Sequence, residues 1–373
     1  MTFRRFDPLD SARASMMLLG IFVHTALILP LFYRNETAAD KFGLSVIYQV
    51  IHIFRMPTFF FLAGIFASAL LVKAGYFGFL TSRFKRIVSV VFTAEVIIAL
   101  VLLPQGCTAC QVIGPTGYLD NGWLHLWFLF YLALISHFFL LVTYIWEKVN
   151  QANYRKILSA IAKRMTFAPW QVFLLALFTL VIPNYIGSDG ALKMTFALIP
   201  NLSLLLVFSL FYVVGWISFF NMDQVLRSMN KYAWFNISIG IAAGLTASYL
   251  YVTSNGFWEQ LVYSQGMWFI TIGLVGLFIR HAPKRNKFFG YFTDASYWIY
   301  LWHPIFILLF AYLGVLIGLN IWLSFVITSL LSLFVVSASY TFLVQDTKVD
   351  KWLSGRRRRE LSKEELLAEK NKR

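Results

Sequence analysis

Charge is what this chain lacks most. Only 13% of its residues are Asp, Glu, Lys or Arg, against 59% hydrophobic. A soluble domain carries about 25% charged residues, so a soluble globular fold is excluded. Cysteine is nearly absent as well: there are two, Cys107 and Cys110. A C-x-x-C pair suits redox chemistry, a metal site or a short disulfide. No second pair exists and no His stands nearby in sequence. That argues against zinc and leaves a small loop disulfide or two ordinary thiols. The chain also has no visible internal repeat, such as the inverted halves found in many transporters, and no low-complexity linker.

What is present is a series of apolar runs near membrane-spanning length, with a mean hydropathy of +0.68. The expected class is an all-α, polytopic membrane protein. Thirty-eight Phe, 18 Tyr and 12 Trp suit lipid-facing surfaces and interfacial belts. Ten spans are expected: Ala12–Leu31, Pro57–Val72, Ile87–Leu103, Leu124–Trp146, Ala168–Ile182, Leu198–Phe220, Tyr232–Val252, Gly266–Ile279, Tyr291–Leu313 and Leu319–Val344. Phe42–Met56 is amphipathic and reads as an interfacial segment. Two spans are short, which fits a tilted, broken or re-entrant segment. Arg4 and Arg5 precede the first apolar run as they would in a signal peptide. However, Arg13 and His24 interrupt that run and no small-x-small cleavage site follows Pro30. It reads as a retained first span.

The net charge of +15 would raise nucleic acid as a partner for a soluble protein. The expected topology gives it another meaning. All of the 32 Lys and Arg residues fall on one side except Arg34, Lys41, Lys193 and the border residue Arg55. By the positive-inside rule that side is cytoplasmic. Both termini then lie in the cytoplasm, the number of spans is even, and the charge requires no nucleic acid. Residues 1–345 read as one membrane domain. Residues 346–373 read as a basic cytoplasmic tail, either solvated or touching anionic headgroups.

Ionisable residues inside membrane segments are costly and mark function by default. Arg13 and His24 are eleven residues apart in the first span. At about 100° per residue they share one helical face, separated by about 16 Å along the axis. Arg83 and Arg86 form an R-x-x-R at the cytoplasmic entry to the third span. A planar guanidinium binds two phosphate oxygens at once. Arg13, Arg83 and Arg86 are therefore candidates for a phosphorylated cytosolic ligand, with ordinary topological anchoring as the simpler alternative. His52, Arg55, His125, Trp127 and His303 gather toward the outer side. Glu95 is a carboxyl expected within the third span, suited to pairing with Arg or His or to orienting a catalytic ring. His137 lies in the inner half of the fourth span, and His281 reads as a boundary residue. Neutral imidazole takes a proton near pH 7, so His24 is the candidate general base for an acceptor hydroxyl. The 16 Å interval suits a long pantetheine-like arm better than a small phosphorylated substrate.

These residues carry a resemblance. Leu9-Asp-Ser-Ala-Arg13 followed by His24 resembles the opening motif of the acyltransferase-3 family of integral membrane O-acyltransferases. Phe54 to Gly64, Arg83-Phe-Lys-Arg86, His125-Leu-Trp-Phe-Leu129 and Ser296 to His303 resemble four later motifs, in order. The resemblance implies about ten spans, a cytoplasmic acyl-coenzyme A donor and a sugar-hydroxyl acceptor, often on the outer side. It makes Arg13 and His24 essential and puts Arg83 and Arg86 near the donor. Met17-Leu-Leu-Gly20-Ile21 and Tyr340 to Val344 with Thr347 are similar to the branch that succinylates osmoregulated periplasmic glucans. Gln345-Asp346 departs from the basic residues expected there.

The expectation is an O-acyltransferase of the bacterial inner membrane that moves an acyl group, succinyl or acetyl, from coenzyme A to a periplasmic glucan or another envelope carbohydrate. His24, Arg13 and Glu95 are its candidate catalytic residues. Arg13, Arg83 and Arg86 would hold the donor. His52, Arg55, His125, Trp127 and His303 would serve the acceptor side. No metal is expected. The rivals are an O-acetyltransferase of another surface polysaccharide and a transporter or flippase for an anionic or lipid-linked sugar.

Overall fold

The computed structural model describes residues 7–33, 37–94, 126–149, 153–186, 200–253, 256–282 and 287–354. Glu95, His125, Cys107, Cys110, most of the expected span Ile87–Leu103 and the tail from residue 355 lie outside the described residues. Within them the chain is helical, with no strand.

The helices are α1 Asp7–Phe32, α2 Ala38–Arg83, α3 Trp127–Val149, α4 Tyr154–Arg164, α5 Pro169–Ile186, α6 Leu202–Ser218, α7 Met222–Thr253, α8 Phe257–His281, α9 Lys287–Leu316, α10 Ile321–Ser339 and α11 Lys348–Ser354. π turns follow α2 at Phe84–Val88 and α10 at Tyr340–Val344. Local sequence sets several starts. Thr37 caps α2 in a reciprocal box with Asp40, while Asn201 and Asn320 accept from the first-turn amides of Leu204 and Leu323. Each side-chain oxygen satisfies a backbone N–H that helix geometry leaves without a partner.

Among the described residues, seven helical stretches are long and apolar enough to cross a membrane, or eight if the bent pair Tyr154–Arg164 and Pro169–Ile182 forms one span. Two of the seven, Ala38–Ala94 and Leu202–Tyr251, have 57 and 50 residues. At 1.5 Å per residue they run to about 85 and about 75 Å, far beyond a hydrocarbon core of about 30 Å. Both are interrupted. In α2, Gly75 has φ 68 and ψ −178, a conformation reserved to glycine. Between α6 and α7 stands a 3₁₀ turn, Phe219–Asn221.

One expectation is corrected here. Phe42–Met56 is not a separate interfacial helix. It runs unbroken through Pro57 into the following segment as part of α2, with Leu44, Gln49, His52, Ile53, Arg55 and Met56 buried. Its polar residues, which gave the segment an interfacial pattern, turn toward other helices. A proline inside a membrane helix is tolerated where neighbours re-satisfy the freed backbone.

Packing relies on close backbone approach, as small residues allow in membranes. A Cβ built on Gly64 of α2 would strike the Tyr212 carbonyl of α6, and one on Gly215 of α6 would strike the Phe61 carbonyl of α2. Gly240, Gly273 and Gly276 seat α7 and α8 as an antiparallel hairpin in the same way. α9 and α10 are antiparallel too: Gly314 meets Ser324 near one end, and the Tyr291 hydroxyl donates to the Ser337 carbonyl (2.7 Å) near the other. The Trp322 indole donates to Asp40 (2.7 Å), tying α10 to the start of α2.

Candidate active site

α1 supplies Arg13 and, three turns on, His24. Pro30 lies beyond both, so the interval between them is uninterrupted helix. Around Arg13 is a cavity of about 190 Å³ lined by Arg13, Arg83, Arg86, Phe66, Asp294 and Tyr297, among others. Three arginines from two separate stretches of the chain thus line one chamber. Arg13 pairs with Asp10 at 3.0 Å and lies over the Phe66 ring at 5.1 Å. Arg83 lies over the Phe79 ring at 5.2 Å, and its Nε is buried without a hydrogen-bond partner. The two later arginines do not lie on a regular α-helix: Arg83 ends α2 and Arg86 sits within the π turn. Single π turns occur often at functional sites. Leu353 of α11 also lines this chamber, so the last described helix packs against its wall.

Further along α1, the rings of His24 and His303 lie 5.0 Å apart, tilted by 52°. Both are buried. His303 Nδ1 is 2.9 Å from the Ile299 carbonyl. A carbonyl only accepts, so this bond puts the proton on Nδ1. The His303 ring is also 6.2 Å from Tyr300.

Arg55 meets the same region from α2. A Cβ on Gly20, one turn before His24, would collide with the Arg55 guanidinium. Arg55 is 4% exposed, its Nε has no hydrogen-bond partner, and among the described residues no carboxylate pairs with it. Its electrostatic neighbours are Tyr48 and Tyr300. His52 is 6% exposed, with neither ring nitrogen hydrogen-bonded, and its ring stacks on Tyr48 at 5.0 Å. A buried polar group without a partner costs about 1–3 kcal/mol. Two of them a turn apart are the kind of cost that a ligand repays.

Of the expected acceptor-side residues, His303 lies against His24, Arg55 against Gly20 one turn before it, and His52 one turn from Arg55 on α2. Trp127 does not. It is 3% exposed and packs among Phe128, Tyr131 and Phe208, where its neighbours are core aromatics. His125 and Glu95 lie outside the described residues. His137 bonds its own helix at the Ala133 carbonyl, and the His281 ring packs against Trp234. Among the described residues, no group of three or more His, Cys, Asp or Glu is placed to hold a metal ion.

A family model described as an acyltransferase domain matches residues 7–344. The chain belongs to the acyltransferase-3 family. As a member of that family it is an integral membrane O-acyltransferase, and the match covers both the arginine chamber and the histidine pair. Among curated relatives, the chain is similar to glucans biosynthesis protein C of Salmonella typhi. They are 26% identical over 340 residues, covering 84% of this chain and 85% of the relative. The namesake from Salmonella typhimurium matches to the same extent. That of Salmonella schwarzengrund is 26% identical over 321 residues, covering 79% and 80%. No solved structure matches the chain.

Sequence reasoning missed Gly20, Tyr297, Asp294 and Leu353 as neighbours of the candidate residues. Gly20 and Tyr297 were inside recognised motifs, but nothing in a motif marks a contact with Arg55 or a place in a cavity wall. Leu353 had no signal at all, being one leucine at the edge of a charged tail.

Proposed function

We propose that this acyltransferase moves an acyl group from coenzyme A, bound at its cytoplasmic face, to a hydroxyl of a periplasmic glucan or similar envelope carbohydrate. One observation carries the reading: Arg13, Arg83 and Arg86 line a single chamber, and from Arg13 the uninterrupted helix α1 leads to His24 against His303. Three guanidinium groups suit the phosphates of coenzyme A. The 16 Å rise from Arg13 to His24 suits its extended arm. The curated relatives named for glucan biosynthesis supply the acceptor class.

In this reading His24 accepts the proton of the acceptor hydroxyl as its oxygen attacks the thioester carbonyl. The new C–O bond replaces the C–S bond, and the departing thiolate recovers the proton. His303, with its proton on Nδ1, lies against the His24 ring and positions it. Arg55, beside this pair, is a buried cation with no carboxylate partner among the described residues, so it suits the free carboxylate of a dicarboxylic acyl group, as in succinyl transfer. His52, stacked on Tyr48, faces the acceptor. Glu95 and His125 are retained as candidates for orienting the ring and shaping the acceptor side.

We also place both termini in the cytoplasm and the protein in the inner membrane, with ten crossings. Counting two crossings in each of the two over-long stretches and one in the bent pair gives that number. The test is mass spectrometry of periplasmic glucans and envelope polysaccharides with and without the gene. Loss of a succinyl group from the glucan is expected. Loss of acetyl groups from another polysaccharide would replace the acceptor, and an unchanged acyl profile would overturn the proposal.

A further inference from the structure

The arginine chamber has an unusual floor. Arg83 and Arg86 are not carried on a plain helix: α2 stops at Arg83 and the next five residues form a π turn, closed by the Ser89 amide on the Phe84 carbonyl. A π turn is rarer than an α turn and persists where its surroundings hold it. Here the holder comes from a helix distant in sequence. The Tyr297 hydroxyl of α9 donates to the Arg86 carbonyl at 2.5 Å, across 211 residues. The same Tyr297 lines the chamber and is an electrostatic neighbour of Arg83. One phenol therefore touches the backbone of one arginine and the field of the other.

The ring alone would fill the wall. The hydroxyl does something a phenylalanine would not, because it fixes the azimuth of the turn and so the direction in which both guanidinium groups leave the backbone. Arg83 stands at the start of that turn, and its Nε has no hydrogen-bond partner. We propose that Tyr297 is a positioning residue of the donor site, whose hydroxyl holds the π turn that points Arg83 and Arg86 into one chamber. This rests on the chamber being the donor site.

The test uses the full chain purified into lipid nanodiscs, with coenzyme A as the titrant in calorimetry. Tyr297→Phe keeps the ring and removes only the hydroxyl. It is expected to weaken coenzyme A binding about three- to ten-fold, the effect of one hydrogen bond. Arg86→Ala should weaken binding on its own. With both Arg83 and Arg86 replaced by Ala, Tyr297→Phe should add less than about two-fold, because the phenol acts through these two arginines. Amide hydrogen exchange over Phe84–Ser89 should quicken in Tyr297→Phe while α7 and α8 are unchanged. Binding within about two-fold of the unaltered protein, an undiminished effect when both arginines are replaced by Ala, or faster exchange across all helices would each overturn the positioning role. If Arg83→Ala and Arg86→Ala leave coenzyme A binding unchanged, or the unaltered protein does not bind it, the donor-site reading falls and takes this inference with it. If the arginine variants weaken binding and Tyr297→Phe does not, only the inference about Tyr297 falls.

Discussion

Removing the His24 imidazole is the sharpest perturbation the site offers. The ring is buried against His303 with centroids 5.0 Å apart, and the His303 Nδ1 proton is committed to the Ile299 carbonyl. A positioned general base contributes about 10²- to 10⁴-fold in rate, or about 2.7 to 5.5 kcal/mol at 1.36 kcal/mol per decade. His24→Ala should therefore lower kcat by at least about 100-fold. His303→Ala leaves the base in place but removes its support, and a loss of about 10- to 100-fold is expected. The two rings touch, so their effects should not multiply: the double variant should be no slower than His24→Ala alone, within about three-fold. The assay is transfer of a labelled acyl group from coenzyme A in membranes with matched protein levels. A kcat for His24→Ala within ten-fold of the unaltered protein would refute the base assignment. A double variant showing the full product of the two losses would refute the coupling.

Other outcomes follow from the same geometry. Arg55→Gln keeps a hydrogen-bonding side chain but removes the charge; it should reduce transfer of a dicarboxylic acyl group at least ten-fold more than transfer of acetyl, compared by kcat/KM. Gly64→Ala places a carbon 2.8 Å from the Trp216 amide nitrogen where 3.4–4 Å is ordinary contact. The Trp216 contact alone makes α2 and α6 part by about 0.6 Å, and the Tyr212 carbonyl, nearer still, requires more. The cost of such overpacking is about 1–3 kcal/mol, visible as a lower midpoint of thermal unfolding in detergent. Gly75→Ala meets no atom within 4 Å yet forces a side chain into φ 68. Strain of about 1–3 kcal/mol should appear without any steric clash. The Arg83 and Arg86 end of α2 should shift with it, raising the donor KM.

The helices were legible because apolar runs of spanning length have few other interpretations, and the caps at Asn201 and Asn320 sit where side-chain oxygen chemistry demands. The Arg13–His24 register was legible because helix geometry is the same everywhere. The joins were less so. Whether residues 42–56 lie on the membrane or continue into it depends on what covers their polar face, and only the neighbouring helices supply that answer. The π turn at Phe84–Val88 was invisible, since its cause is a tyrosine more than 200 residues away. Trp127 looked like a site residue by association with a motif, yet its ring is held by Tyr131 and Phe208. An aromatic side chain gives no sequence sign of whether it faces a ligand or a core.

The unbroken stretch of α1 has a consequence of its own. It acts as a ruler, with one end marked by a guanidinium and the other by an imidazole, and a ruler can be recalibrated. One residue inserted between Arg13 and His24 would swing the imidazole about 100° off its bearing while lengthening the interval by only about 1.5 Å. Seven inserted residues would restore the bearing to within about 20° and add about 10.5 Å. The first change breaks alignment and the second breaks reach. On the proposed donor path, a donor with a correspondingly longer arm would answer only the second, and the length of that arm would be written in the residue count of a single helix.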